Sequence, residues 1–270
     1  MTSSHDRDAA RIEREVLAAG TPDRAVSEQS YLKSKLEFSG TTVPQTRAIV
    51  IAWRRANRGL TGPRLTQIAA ALWDRPLFEC KQAAVILLTD RRKLLGESDA
   101  AFVEHLLRTS GTWALVDGLA ADVMGSLVER HPGLLATLDG WAADDDFWIR
   151  RSAMLALLVP LRRGEPANFE RFARYADAML EEREFFIRKA IGWVLRETGK
   201  RQPELVADWL APRVGRASGV TMREAVKWLP AVQREALMAR YAEHRLAAAQ
   251  RNATHRRAPA GPPARQRSAG

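Results

Sequence analysis

The chain has one cysteine, Cys80, so it can form no internal disulfide and no cysteine-clustered metal site. Its five histidines (His5, His105, His131, His244, His255) are scattered without ligand spacing, and no bound metal is expected. No apolar run approaches the roughly 20 residues that a membrane span needs. The opening Met1-Thr-Ser-Ser-His-Asp-Arg-Asp8 carries acids where a signal peptide would carry a cationic and then an apolar stretch. Glycine-rich phosphate loops, Ser-His-Asp patterns and paired-carboxylate sites are missing, and no stretch alternates convincingly like a strand. These absences predict a cytoplasmic protein, with no membrane segment, metal or organic cofactor.

What is present is ordinary in amount and unusual in placement. At 270 residues, with 46% hydrophobic and 27% charged side chains, the chain can bury a large core as one domain or one continuous array. Its net charge is +10, but six arginines (245, 251, 256, 257, 265, 267) and no acid lie from Arg245 onward. That leaves +4 for the body, so overall basicity says little about partners, and the location of the body's charges decides. Composition divides the chain into a loose polar segment over 1–8, a helical array over 9–249 and a disordered basic tail over 250–270.

Between these ends nearly everything reads as helix, with Pro44, Pro63, Pro132, Pro203 and Pro230 in first turns and Gly20, Gly59, Gly164 and Gly199 at stops. The fold class is all-α. Phe78, Trp113, Trp148, Phe186 and Met222 each open a helix, at intervals of 35, 35, 38 and 36 residues, and each interval holds one further helix. This is the period of an α-solenoid of HEAT-like two-helix repeats. In such an array equivalent helices line up, so their equivalent residues form one continuous concave face. Lys81, Arg151 and Lys189 fall on that face, with Lys227 nearby.

The exception in the row is Asp117. It lies in Gly111-Thr-Trp-Ala-Leu-Val-Asp-Gly-Leu-Ala-Ala-Asp-Val-Met124, a predicted helix with Thr112 as N-cap and Val116, Leu119, Val123 and Leu127 on one apolar face. A lone acid in apolar company is costly unless something pairs with it or uses it. Trp113, one turn earlier, shares its side of the helix. For Trp113 alone a core role is the simpler reading; for Asp117 it is a cap or an ion pair. Arg150 and Arg151 are adjacent and point differently, so at most one serves a given face. Arg151 suits either a salt bridge, to Asp144, Asp145, Asp146 or Asp117, or a fork on a phosphate. Lys189, Trp193 and Arg196 stand at i, i+4 and i+7, placing cations above and below a ring, a pattern that fits a sugar–phosphate backbone or a core Trp with snorkelling neighbours. Gly192 beside it permits close approach of another backbone. Trp53, Trp73, Trp141, Trp209 and Trp228 are assigned to packing, and Cys80 to the core.

Five stretches together resemble the bacterial DNA alkylation repair glycosylases of the AlkD type, built from HEAT-like repeats. They are Tyr31-Leu-Lys-Ser-Lys-Leu-Glu-Phe-Ser-Gly40, Leu72-Trp-Asp-Arg-Pro-Leu-Phe-Glu79, Thr112-Trp-Ala-Leu-Val-Asp117, Trp148-Ile-Arg-Arg-Ser-Ala153 and Phe185-Phe-Ile-Arg-Lys-Ala-Ile-Gly-Trp-Val-Leu-Arg-Glu197. The last three are the specific ones, and the likeness covers roughly residues 27–245. The resemblance implies a right-handed solenoid with a concave DNA-binding face. It also implies a monofunctional glycosylase that releases 3-methyladenine and 7-methylguanine from duplex DNA without a deep base-flipping pocket. The family's functional residues fall on Trp113, Asp117, Arg151 and Trp193. Contacts to DNA are expected at Lys81, Arg150, Lys189, Arg196 and Lys227. The family pattern often has an acid after the first Trp, where Ala114 stands here. The expected partner is double-stranded DNA bearing alkylated purines, met by a monomer. The competing readings are a non-catalytic repeat protein that binds branched or distorted DNA and a protein-interaction scaffold.

Overall fold

The computed structural model describes residues 3–164 and 166–257, with side chains to 251. The chain opens with α1 (Ser4–Ala19), α2 (Pro22–Leu32) and α3 (Val43–Ala56). Next come α4 (Gly62–Trp73), α5 (Phe78–Arg91) and α6 (Ala100–Arg108). The stretch around Asp117 is α7 (Trp113–Gly118), a π-turn over Leu119–Met124, and α8 (Gly125–Arg130). It is followed by α9 (Leu135–Trp141), α10 (Phe147–Leu155), α11 (Leu158–Leu161) and α12 (Pro166–Met179). The last four are α13 (Phe185–Gly199), α14 (Pro203–Leu210), α15 (Gly219–Ala225) and α16 (Ala231–Arg257). Among the described residues there is no strand, only an isolated bridge between Glu37 and Leu77.

The repeat expected from spacing is the organising principle of the fold. Helices α5, α7, α10, α13 and α15 lie side by side in that order, each against the next. They carry the repeat-opening residues Phe78, Trp113, Trp148, Phe186 and Met222. The ties between neighbouring repeats are themselves one repeat apart in sequence: Arg108 to Asp144, Arg163 to Glu129, Arg213 to Asp177 and Tyr175 to Asp139, separated by 34 to 36 residues. The exposed ion pairs among them, Arg108–Asp144 and Arg163–Glu129, stabilise little individually. They do show that each repeat meets its neighbour through equivalent positions. The stabilisation comes from the core, where Val116, Leu119, Val123 and Leu127 are fully buried, each contributing about 1.5–3 kcal/mol by removal of apolar surface from water.

Two close approaches fix the layer. A Cβ added at Gly118 would come within 2.8 Å of Val85 Cγ1, so α7 rests directly on α5. One added at Gly192 would lie 2.6 Å from Glu224 Cβ and 3.0 Å from the Thr221 carbonyl oxygen, as expected for a glycine that admits another backbone, here α15. The segment after α2 is held by a buried acid, Glu79. Its carboxylate accepts the backbone N–H groups of Ser39, Gly40 and Thr41 at 2.8–3.3 Å, while Phe38 stacks on Phe78 at 4.7 Å.

Some expectations are corrected. The segment 1–8 is not loose where it is described: α1 begins at Ser4, is capped by the Ser3 hydroxyl, and Asp8 accepts from the Trp53 indole and the Arg64 guanidinium. The helical stretch from Phe147 to Leu161 is interrupted between Leu155 and Leu158. Trp53, Trp73, Trp141 and Trp209 are buried, but Trp228 is 56% exposed, with the Lys200 ammonium 5.7 Å from its ring. The expected tail is helical as far as Arg257, and its remainder lies outside the described residues. Cys80 is fully buried, and desolvation pushes its thiol up to about 12.

Candidate active site

Asp117 reaches the surface from the last turn of α7, whose first turn is capped by the Thr112 hydroxyl. Its carboxylate is not unpartnered. Arg151 of α10, the equivalent helix one repeat on, donates Nε to Oδ1 at 2.8 Å and Nη2 to Oδ2 at 2.9 Å. The remaining guanidinium arm, Nη1, donates to the Phe186 carbonyl at 2.5 Å. Arg151 is 3% exposed at its side chain and Asp117 20%. The guanidinium therefore lies behind the acid, and its planar fork fixes both carboxylate oxygens. Of the two readings open for Arg151, the salt bridge to Asp117 describes its geometry. The phosphate fork does not, because all three guanidinium nitrogens already donate within the protein.

Burial raises the Asp117 carboxyl above the usual aspartate value, and Arg151 offsets only part of that rise. Each carboxylate oxygen bonded once to Arg151 keeps a further lone pair for another partner. The acid is thus oriented and still able to accept.

Two aromatic rings lie near the guanidinium. The Arg151 guanidinium carbon is 5.9 Å from the Phe186 ring centroid and 6.0 Å from that of Trp193. Trp193, Asp117, Gly118, Asp122 and Arg196 line one open cleft of about 460 Å³. Tyr31, Lys33, Trp113, Trp148, Phe185 and Phe186 line another, of about 510 Å³. Trp113 meets Tyr31 edge-on, with centroids 6.2 Å apart and planes at 84°. Of the expected residues, Asp117, Arg151 and Trp193 are brought together, whereas Trp113 lines the other cleft. Periodicity alone could not supply Tyr31, Lys33 and Phe185, since they lie at an element end or in a junction. Lys33 caps α2 in the left-handed region at φ 49°.

The cationic track is largely neutralised. Lys81 is corrected most firmly: its ammonium donates to the Trp73 carbonyl, lies over the Trp73 indole, and is driven toward the neutral form by desolvation. It is not a surface cation. Arg150 is bound to Glu182 and to the carbonyls of Asp144 and Asp145. Lys189 and Arg196, the cations flanking Trp193, converge on Glu224 of α15, and Arg196 also meets Glu197. Lys227 is exposed and has no ion pair among the described residues. Neither a metal-binding cluster nor a helix long and apolar enough to cross a membrane occurs among the described residues.

Fold and site together define an α-helical repeat protein with a guanidinium-clamped aspartate in an open cleft beside a tryptophan. The family model for the DNA alkylation repair enzyme matches residues 12–229, and the chain belongs to that family. Among solved structures it is similar to a protein from Enterococcus faecalis described as a predicted DNA alkylation repair enzyme. That pair shares 23% identity over 78% of this chain and 97% of the other, with a TM-score of 0.70. AlkD2 from Streptococcus mutans aligns with 16% identity and a TM-score of 0.57, over 84% of this chain and all of its own. The smu.31 protein of Streptococcus mutans aligns at 17% and 0.56 over the same shares. At these identities the likeness establishes the fold alone. No curated protein matches the chain.

Proposed function

We propose that the protein is a DNA glycosylase that hydrolyses the N-glycosidic bond of cationic alkylated purines, such as 3-methyladenine and 7-methylguanine, in duplex DNA. The observation that carries this reading is the Asp117–Arg151 pair, an oriented carboxylate in an open cleft beside Trp193. An alkylated purine already carries positive charge, so it leaves with the bonding electrons as a neutral base and needs no general acid. The deoxyribose left behind is cationic at C1′. Asp117 faces it with a fixed negative charge and a free lone pair for the attacking water, whose oxygen bonds C1′ and whose proton is released.

Trp193 and Trp113 present electron-rich faces, suited to a cationic base and its sugar. Arg151 is a positioning residue in this scheme. It holds the carboxylate rather than a phosphate. The open clefts suit a lesion that is read while it stays near the duplex, unlike the snug pocket that takes a flipped base.

The test is base release from duplex DNA containing 7-methylguanine, in single turnover, by wild type and Asp117→Asn. Wild type is expected to release the base, and the variant to lose roughly two or more orders of magnitude with near-normal DNA binding. A well-folded wild type that releases nothing above the spontaneous rate would overturn the reading.

A further inference from the structure

The clefts around Asp117 are not the only feature that answers to nucleic acid. Where the C-terminal end of the array meets α16, a separate cleft of about 530 Å³ is lined by Arg188, Arg216, Arg223, Arg245 and Tyr241. Its one lining acid is Glu181, which pairs with Arg216. Arg216 also meets Asp177, and Arg188 donates Nε to the Glu182 carbonyl at 2.7 Å, so these two are fastened as walls. Arg223 and Arg245 are exposed and form no ion pair among the described residues. Two uncommitted guanidinium groups in a concave, net-positive cleft form a receptor for an anion.

The cleft is also shaped for convergence. A Cβ at Gly219 would fall 2.9 Å from Arg223 Nη1 and 3.0 Å from the Tyr241 hydroxyl. The missing side chain is what lets those two donors meet over the backbone. Gly215 does the same for α16, because a Cβ there would lie 3.0 Å from His244 Nδ1. Tyr241 and Arg245 lie on α16, beyond the residues 12–229 that the family model matches, so one wall of this cleft is added by the chain's own C-terminal helix. Arg245 is also the first of the six arginines that end the sequence without an acid.

We propose that this cleft binds a phosphodiester of the DNA backbone, as an anchor separate from the Asp117 site, with Arg223 and Arg245 as its paired donors and Tyr241 beside them. The inference rests on the DNA-directed function proposed above. Planar guanidinium forks match phosphate oxygens, and such contacts position a duplex without reading its sequence. The cleft adjoins α13 through Arg188, and α13 also carries Trp193, so one rigid helix would set the anchor and the site in register.

The experiment uses the full chain, a labelled undamaged duplex and the double variant R223A/R245A, with R223K/R245K as the charge-retaining control. Affinity is measured against salt concentration, and single-turnover release of 7-methylguanine is measured at saturating protein. The expected result is a log–log salt slope shallower by about 1 to 2 in the alanine variant, weaker binding at physiological salt, and unchanged release once bound. The lysine variant should recover most of the slope, and melting temperatures should stay together because neither arginine has an ion-pair partner to lose among the described residues. An unchanged slope overturns the anchor, even if inorganic phosphate raises the wild-type melting temperature, since the cleft would then serve free phosphate. Wild type that binds DNA and releases base while the slope stays fixed sinks the anchor alone. Wild type that binds no DNA sinks the proposed function with it.

Discussion

Asp117 derives its chemical character from two opposing surroundings. The apolar body of α7 and its neighbours desolvates the carboxylate and raises its pKa, while Arg151 pulls it back part of the way. If the ionised acid is the working form, base release should fall as pH drops through a pKa above the ordinary aspartate value of 3.8. Arg151→Gln removes the opposing pull, so the acid limb of the pH–rate profile is expected to move to higher pH. A limb that stays in place would mean that Arg151 does not tune this carboxylate. The same pair has a structural role. Asp117→Asn leaves part of a buried guanidinium without its acceptor and should cost about 1–3 kcal/mol in urea unfolding. The double variant Asp117→Asn with Arg151→Gln should recover some of that stability, because a group that no longer carries charge has less to lose by burial.

At the scale of elements, the site depends on how closely the helices of the inner row approach one another. Gly192 is the contact point of α13 with α15, and Gly192→Val would place methyl groups into the Glu224 side chain and the Thr221 carbonyl. The expected loss is about 1–3 kcal/mol of stability, with Lys189 and Arg196 drawn away from Glu224 and base release reduced as Trp193 shifts. Calorimetry and single-turnover rates together would show whether packing and chemistry move in step. A second fastening is Glu79, which gathers three backbone N–H groups from the segment following Tyr31. Glu79→Ala should cost about 2–4 kcal/mol, since several charge-assisted bonds in a buried place are lost at once. Chemical denaturation checks this, and hydrogen exchange should rise first at Ser39, Gly40 and Thr41.

For the whole molecule, the distribution of charge matters more than its total. The row of cations expected along the inner helices is mostly taken up by Glu182, Glu224 and the Trp73 carbonyl, so that row presents few free charges. Arg223, Lys227 and Arg245, in the C-terminal part of the array, are exposed and form no ion pair among the described residues. Deletion after Ala249 removes five arginines and no acid. It is expected to weaken non-specific DNA binding and flatten its salt dependence while leaving single-turnover base release intact. Salt titrations of the truncated and full chains decide this, and coincident slopes would leave the tail without a role on DNA.

Much of the architecture was set by the sequence alone, for a definite physical reason. Helix periodicity and a repeat of 35–38 residues are local properties, so the all-α class, the two-helix unit and the row bearing Phe78, Trp113, Trp148, Phe186 and Met222 could be read without coordinates. The buried face of the Asp117 helix and the tight passage at Gly192 follow from the same local rules. Pairing across repeats does not. Whether Arg151 met a phosphate, Asp144 or Asp117 depended on the lateral register of two helices 34 residues apart, and only the tertiary structure placed its fork on the aspartate. The same holds for Glu224 between Lys189 and Arg196, for Lys81 turned inward, and for the two clefts that separate Trp113 from Trp193. Asp117, an isolated charge in the sequence, is in the folded chain one half of an ion pair.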